Sequence, residues 1–325
     1  MSGSVFAAVI AILAFGPQAP PLRAPAPAAP DRAALLIQAD EAQKAGNDNQ
    51  AARLFQLAAD RYNSVQGYLG LARLQSKAKD YAAALVSLTA AREIAPNSED
   101  VLSAYAQVAL AAKQSTKAVA PLASLTRMYP SVAQYDYLLG IGLMSVGDMD
   151  SAVGALEDAN RLEPDRPLTL LALGLALNNR KLFAEARTAL ARSIELQSDG
   201  PEGVEAVAAL AEAEAGLGDL DNATRHAQQA LQRAPANATA NLVVGLVALE
   251  RRQYPEARDA LLAANRADPE SPKVLYQLSL AFARLGDDGS ARRYVEAYQE
   301  KLRGVQERIN ALRADGTFTP PASAR

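Results

Sequence analysis

Apolar residues recur along this chain three and four positions apart, which is the spacing of an amphipathic α-helix. Residues 79–96, KDYAAALVSLTAAREIAP, show this spacing and end at a proline. The same pattern returns at residues 181–196 and 252–269. Each such helix carries one apolar stripe, so the pattern predicts helices that must cover one another.

One alanine in each predicted helix-turn-helix unit recurs with nearly constant spacing. The eight alanines are Ala51, Ala84, Ala118, Ala152, Ala186, Ala223, Ala257 and Ala291, at intervals of 33, 34, 34, 34, 37, 34 and 34 residues. Pro96, Pro130 and Pro164 keep the same period. A fixed period of this length is typical of a repeat architecture. A three-residue insertion within a loop at residues 197–203 explains the one longer interval.

A turn is predicted inside each unit, and a new helix is predicted after each proline. The turn residues are Gly46, Lys79, Lys113, Gly147, Lys181, Gly218, Arg252 and Gly286. Glycine adopts a left-handed backbone freely, and Lys or Arg does so at a modest cost. Ser98, Ser131 and Ser271 are predicted N-caps of the helices that follow. Pro121 lies about one turn inside a helix, which predicts a kink or a late helix start.

These residues resemble the tetratricopeptide repeat family, which places a large apolar and a small residue side by side in its first helix. The corresponding pairs here are Leu71-Ala72, Tyr105-Ala106, Leu139-Gly140, Leu173-Gly174, Leu210-Ala211, Val244-Gly245 and Leu278-Ser279. The family's second-helix pattern is met by Ala84-Leu88-Ala91, Ala152-Leu156-Ala159 and Ala257-Leu261-Ala264. The family's early tryptophan is absent, and Ala227 replaces a large residue in the sixth unit.

The resemblance implies an all-α fold, a right-handed superhelical α-solenoid of about eight helix-turn-helix repeats with a concave face. It covers residues 32–302. The predicted units are 32–64, 65–98, 99–132, 133–166, 167–203, 204–237, 238–271 and 272–302.

A heptad-like stripe marks the end of the array. Its members are Val295, Tyr298, Leu302, Val305, Ile309 and Leu312, spaced by three and four. Residues 303–313 are therefore predicted to extend the last helix as a cap over the last unit, because repeat arrays need their terminal face covered. Dimerisation through this stripe is the alternative, so a monomer or a weak homodimer is expected. Residues 314–325 carry Gly and two prolines and are predicted to be a disordered tail.

The first residues predict export from the cytoplasm. Residues 5–16, VFAAVIAILAFG, form an apolar run that is short for a bilayer span and fits a secretory signal at 1–19. A short uncleaved anchor, which would associate the protein with a membrane, and a cytosolic protein with a mis-assigned start are the alternatives. Residues 20–31 are a Pro/Ala-rich linker. The expected location is periplasmic or extracellular.

Composition argues against several classes of function. The formal net charge of −3 offers no basic excess for nucleic acid, which is not expected as a partner. Cysteine is absent, which excludes disulfides, thiolate catalysis and thiolate metal sites. His226 is the only histidine and is interpreted as a surface or groove-edge side chain, and Glu212 and Glu214 as solvated or groove-lining. No catalytic, cofactor or metal site is predicted, and the protein is expected not to be an enzyme.

The resemblance implies that a partner lies along first-helix positions facing the concave side. Those positions are Tyr137, Ile141, Met144, Leu168, Leu171, Leu175, Asn178, Leu242, Leu246, Leu249, Tyr276 and Leu280. The hypothesis is an exported scaffold that binds an apolar or amphipathic peptide or helix of an unidentified protein in this groove. Burial of these leucines between neighbouring repeats remains open. The alternative function is a structural component of an envelope secretion, pilus or polysaccharide assembly, acting by self-association or membrane tethering.

Overall fold

The computed structural model describes residues 30–314, and within that range the chain forms sixteen α-helices and no strand. The predicted signal segment 1–19, most of the linker 20–31 and all but the first residue of the tail 314–325 lie outside the described residues. The helices pair in sequence as eight antiparallel hairpins, and each hairpin packs on the next. This is the predicted all-α solenoid.

The helix bounds follow the predicted units closely. In chain order they are α1 Arg32–Lys44, α2 Asp48–Tyr62, α3 Val65–Lys77, α4 Tyr81–Ile94, α5 Glu99–Ala111, α6 Ser115–Met128, α7 Ala133–Val146 and α8 Met149–Leu162. The second half comprises α9 Pro167–Asn179, α10 Phe183–Leu196, α11 Gly200–Gly216, α12 Leu220–Arg233, α13 Ala238–Glu250, α14 Tyr254–Ala267, α15 Pro272–Arg284 and α16 Asp288–Ala314. Odd-numbered helices are the first helices of their units, and even-numbered helices are the second.

A small residue on the first helix receives a large residue of the second helix. A Cβ atom added to Gly140 would stand 2.5 Å from Cγ of Leu156, and Gly245 would meet Cγ of Leu261 at the same distance. Both leucines are fully buried. The recurring alanine of the second helix is buried as well, and seven of the eight copies, Ala291 excepted, have no exposed surface. We call this small-to-large contact the interlock.

All eight predicted turn residues have a positive φ. The angles run from 58° at Lys113 to 102° at Gly147. The backbone amide of each following residue returns to the preceding first helix, as Asp80 N does to Gln75 O at 2.9 Å. The turn prediction is confirmed, including the four positions where Lys or Arg takes the place of glycine.

Three local predictions are wrong. The insertion at 197–203 is not a loop throughout, because α11 begins at Gly200 with Pro201 in its first turn, where proline favours helix initiation. Helix α6 begins at Ser115 and continues through Pro121, so the late start predicted there is wrong, while the alternative, a kink, stays a prediction. Helix α7 is capped at Val132 and not at Ser131, whereas Ser271 does cap α15, accepting from Val274 N at 3.5 Å.

The last helix extends well past its own unit. Its first half packs on α15, where Phe282 and Tyr294 stack with ring centroids 5.4 Å apart. Its 27 residues span about 40 Å. The second half therefore reaches α6 and α7 of the third and fourth units.

Residues 303–313 were predicted to cap the last unit, but they pack on α6 and α7 instead. Leu312 is buried in the core that contains Leu143 and Val146, and not against the last unit. Arg308 Nε donates to Val146 O at 3.3 Å. The curvature of the array brings unit 8 opposite units 3 and 4, which local sequence spacing does not report.

The interlock gives a paired stability prediction on one helix. Gly140→Ala should lower the free energy of unfolding by about 1–3 kcal/mol, because the new methyl overlaps the buried Leu156. Gly142→Ala is the control, since its nearest neighbour would be Val119 Cγ2 at 3.5 Å, and it should gain about 0.5–1 kcal/mol from helix propensity. Urea unfolding followed by circular dichroism measures both. Equal stability of the two variants would contradict the interlock.

A buried acid between α7 and α8 gives a pH-dependent prediction. Burial, together with the nearby charge of Asp158, raises the pKa of Asp136 from 3.8 to about 6, and Arg161 partly opposes this. A raised acid pKa means that stability is lost as pH rises from about 4 to about 6. Asp136→Asn should therefore match the wild type at pH 4 and exceed its unfolding free energy by about 1–3 kcal/mol at pH 7.5.

The control for that experiment is Asp60→Asn at an exposed position of α2. It should change the unfolding free energy by no more than about 0.5 kcal/mol, as expected for a surface substitution. Urea titrations at pH 4 and pH 7.5 provide the comparison. If the unfolding free energies of Asp136→Asn and the wild type differ by the same amount at both pH values, the buried carboxyl does not couple stability to pH.

Candidate partner-binding chamber

The concave face of units 4 to 8 and the crossing helix α16 enclose a cavity of about 740 Å³, which we call the central chamber. First helices supply one wall, and α16 supplies the other. The wall from the first helices includes Met144, Ser145, Leu175, Asn179, Glu212, Thr239, Leu242 and Lys273. The wall from α16 includes Leu302, Val305 and Arg308.

The sequence-predicted groove residues divide between this chamber and its surroundings. Met144, Leu175 and Leu242 line the chamber itself. Asn178 and Leu246 line a neighbouring pocket of about 170 Å³. These side chains come from α7, α9 and α13, so the repeat phase brings residues from three units to one place.

Several of the predicted residues are instead part of the packing between repeats. Leu171, Asn178 and Leu242 are buried, with exposed fractions of 8%, 2% and 4%. Asn178 Nδ2 donates to Ala209 O at 2.8 Å and so ties α9 to α11. The open alternative, burial between neighbouring repeats, therefore holds for these three positions.

The remaining predicted residues keep part of their surface accessible. Tyr137 and Ile141 are half-buried against the core shared by units 4 to 6. Leu249 is half-buried in the core of the last units. The exposed members are Leu168, Tyr276 and Leu280, with 37%, 43% and 37% of their surface accessible. Tyr276 also lies against Tyr298 of α16, with centroids 5.4 Å apart.

Both lysines that line the chamber are paired with carboxylates of the chain. Lys273 of α15 forms an ion pair with the buried carboxylate of Glu212 on α11, two units away. Lys301 Nζ lies 2.5 Å from Glu270 Oε2 at the rim. Glu205 accepts from Thr239 Oγ1 at 2.8 Å. Glu300, Arg303 and Glu307 of α16 also line the chamber, and none of them forms an ion pair within residues 30–314, so the chamber offers both apolar and charged groups to a partner.

The two neighbouring glutamates of α11 have separate tasks. Glu212 is buried and lines the chamber, so the groove-lining interpretation is right for it and the solvated one is wrong. Glu214 is also buried, and its Oε2 lies 2.7 Å from Nδ1 of His226 on α12. That pair joins the two helices of unit 6. His226 is therefore half-buried and paired, not a free surface residue.

Within residues 30–314, no three His, Asp or Glu residues come together in an arrangement that could hold a metal ion. None of the helices there is both long enough and apolar enough to cross a membrane.

Family models for the tetratricopeptide repeat match most of the array. One matches residues 137–201, 208–272 and 245–304, and a second matches residues 75–140. No curated protein sequence matches this chain significantly.

Solved structures with the same architecture are distant in sequence. A tetratricopeptide repeat protein from Parabacteroides merdae ATCC 43184 is 14% identical with a TM-score of 0.57, over 77% of this chain and 98% of that one. The APC/C hetero-tetramer Cut9-Hcn1 is 17% identical with a TM-score of 0.54, over 86% and 55%. A monomeric mutant of IFIT1 with Gppp-AAAA is 14% identical with a TM-score of 0.52, over 87% and 72%. At this identity the likeness concerns the fold alone.

The family matches and the observed hairpin stacking agree with each other across the array. Proteins of this kind generally bind other proteins. The chain belongs to the tetratricopeptide repeat family of interaction scaffolds.

Proposed function

We propose that this protein is a non-enzymatic scaffold that binds an apolar or amphipathic helical segment of a partner protein on the concave face of units 4 to 8. The observation that carries the proposal is the course of α16. This amphipathic helix of the chain itself crosses the concave face, and a chamber of about 740 Å³ remains beside it. A surface that accommodates one helix has the width and the chemistry for a helix-in-groove contact.

Accessible apolar side chains supply the contact surface. Met144 and Leu175 are half-buried in the chamber wall, and Leu280 and Tyr276 lie exposed on α15. Full burial of an exposed side chain of this kind contributes about 1.5–3 kcal/mol, and covering the part still accessible here contributes roughly half of that, before the entropic cost of association is subtracted. Three or four of them suit a reversible partner.

The two chamber lysines are not free to attract an acidic partner. The lysines at the chamber, Lys273 and Lys301, are held by Glu212 and Glu270 of the same chain. A partner that broke either pair would leave an uncompensated charge, which is costly at the buried Glu212. Recognition therefore rests on apolar contacts with a polar rim that fixes orientation.

Selection from a displayed library of amphipathic helical peptides tests this function. Peptides enriched on the full chain should carry apolar residues three and four apart. Leu175→Asp should weaken their binding at least about tenfold, because it places a charge in the apolar wall. Val86→Asp is the matched control, since Val86 is 72% exposed on α4, away from the chamber.

Circular dichroism of both variants shows whether the fold is retained. Leu171 is unsuitable for this experiment because it is buried, so Asp at that position would unfold the array instead of testing the groove. Enriched peptides that bind Leu175→Asp and the wild type equally would refute binding in the chamber.

We propose further that the protein is exported, to the periplasm or the extracellular space. Support comes from the apolar run at residues 5–16 and the Pro/Ala-rich segment that follows it. Protein isolated from its native host should begin near residue 20 by amino-terminal sequencing and should fractionate outside the cytoplasm. Retention of the first residues at the membrane would instead indicate an anchor, and an intact cytosolic chain would refute export.

A further inference from the structure

The distal half of α16, residues 303–314, makes a contact that a stack of repeats does not require. Repeat units ordinarily contact only their neighbours. Here Arg308 bonds Val146 O across 162 residues, and Arg313 reaches Asp148 across 165 residues. The segment thereby bridges the last unit to the fourth and closes one side of the central chamber.

The surface that receives this segment is built at the end of α7. Gly147 provides the closest approach, because a Cβ at that position would lie 2.5 Å from Val305 Cγ1. Leu312 is 3% exposed in the core around Leu143 and Val146. We call this surface, formed by the end of α7 and the turn that follows it, the α7 site.

Two arginines of α16 contact polar groups of the α7 site. Arg308 donates to a carbonyl at the C-terminal end of α7, where the helix dipole favours a cation. Arg313 Nη2 lies 3.2 Å from Oδ2 of Asp148. Asp148 is 4% exposed and uses its other oxygen to cap α8 at Ser151 N. The hydrogen bond from Ser151 N thus holds the carboxylate of Asp148 in place independently of Arg313.

The same segment is weakly held by comparison with the rest of the array. Leu312 is the only residue of 303–314 that is buried. Gly304 is the second residue of the distal half of α16, and a Cβ there would meet nothing closer than Arg308 Nη1 at 3.6 Å. Glycine in a helix interior costs about 1 kcal/mol. Packing does not demand this glycine, and it lowers the cost of separating the distal half from the proximal half.

We propose that residues 303–314 are an intramolecular latch on the α7 site, and that a partner helix displaces the latch by presenting the same pattern. That pattern is apolar residues at positions i, i+4 and i+7 with basic residues at i+3 and i+8, as in Val305, Ile309, Leu312, Arg308 and Arg313. The proposal rests on the proposed function and deepens it. It names the kind of partner helix and the intramolecular contact, between residues 303–314 and the α7 site, that this helix displaces.

A synthetic peptide of residues 303–314 with a fluorescent label is the probe. Wild-type protein should bind it weakly, because its own latch occupies the site. Leu312→Asp in the full chain should release the latch and bind the peptide about tenfold more tightly or better. A peptide carrying the same Leu312→Asp change should not bind either protein. Equal affinity of the wild type and the variant, or no binding to either, would overturn the latch.

Val295→Asp is the matched control for the protein variant. Val295 is 38% exposed on the proximal half of the same helix, so its substitution should leave peptide binding at the wild-type level. Hydrogen exchange provides a second readout. Leu312→Asp should remove protection from 303–314 while 290–300 and α7 stay protected, and absence of protection at 305–312 in the wild type would contradict a docked latch.

The role of Asp148 is tested in the unlatched protein. Asp148→Asn retains the oxygen that caps Ser151 and removes the charge facing Arg313. In the Leu312→Asp background it should weaken peptide binding about fivefold. Unchanged binding would refute recognition of the basic residue. The chamber function is tested by a different experiment, Leu175→Asp against the selected library peptides in the otherwise wild-type chain, so failure of one proposal is distinguishable from failure of the other.

Discussion

Close contact between a small residue of one helix and a large residue of its partner is the constraint on which this structure depends. Gly140 leaves no room for a Cβ because the buried Leu156 fills the space, and Gly245 stands in the same relation to Leu261. Each unit is therefore a tightly spaced hairpin with one apolar side left over. Burial of that side by the next unit, repeated along the chain, generates the array and its concave face.

The same repeat determines which residues line the concave face. Residues at one phase of the first helices meet at the central chamber, although they come from units far apart in sequence. Some of them also serve the packing between units, as the buried Leu171 and Leu242 do. Binding surface and core are thus adjacent layers of the same helices, which is why a probe of binding must use half-buried positions such as Leu175.

The long last helix makes the array more than a one-dimensional stack. A solenoid in which only neighbours touch can open at any point, whereas the contact of Leu312 and Arg313 with the fourth unit couples distant parts of the chain. It also places a helix of this protein where a partner's helix is proposed to bind. One element thereby contributes to the shape of the chamber and, in the proposed latch, to the control of access to it.

The sequence by itself determined the repeat, its period and its turns, because these depend on contacts within about forty residues. Sequence spacing alone identified the alanines, the small residues opposite leucines and the eight turn residues. The turns could be identified even where Lys79 or Arg252 stands in place of glycine. Only the tertiary structure decided which groove leucines are buried and where the end of α16 docks. Those outcomes depend on the sum of the rotations between successive units. A small rotation per unit cannot be recognised from local sequence spacing, but over several units it brings the last unit opposite the fourth.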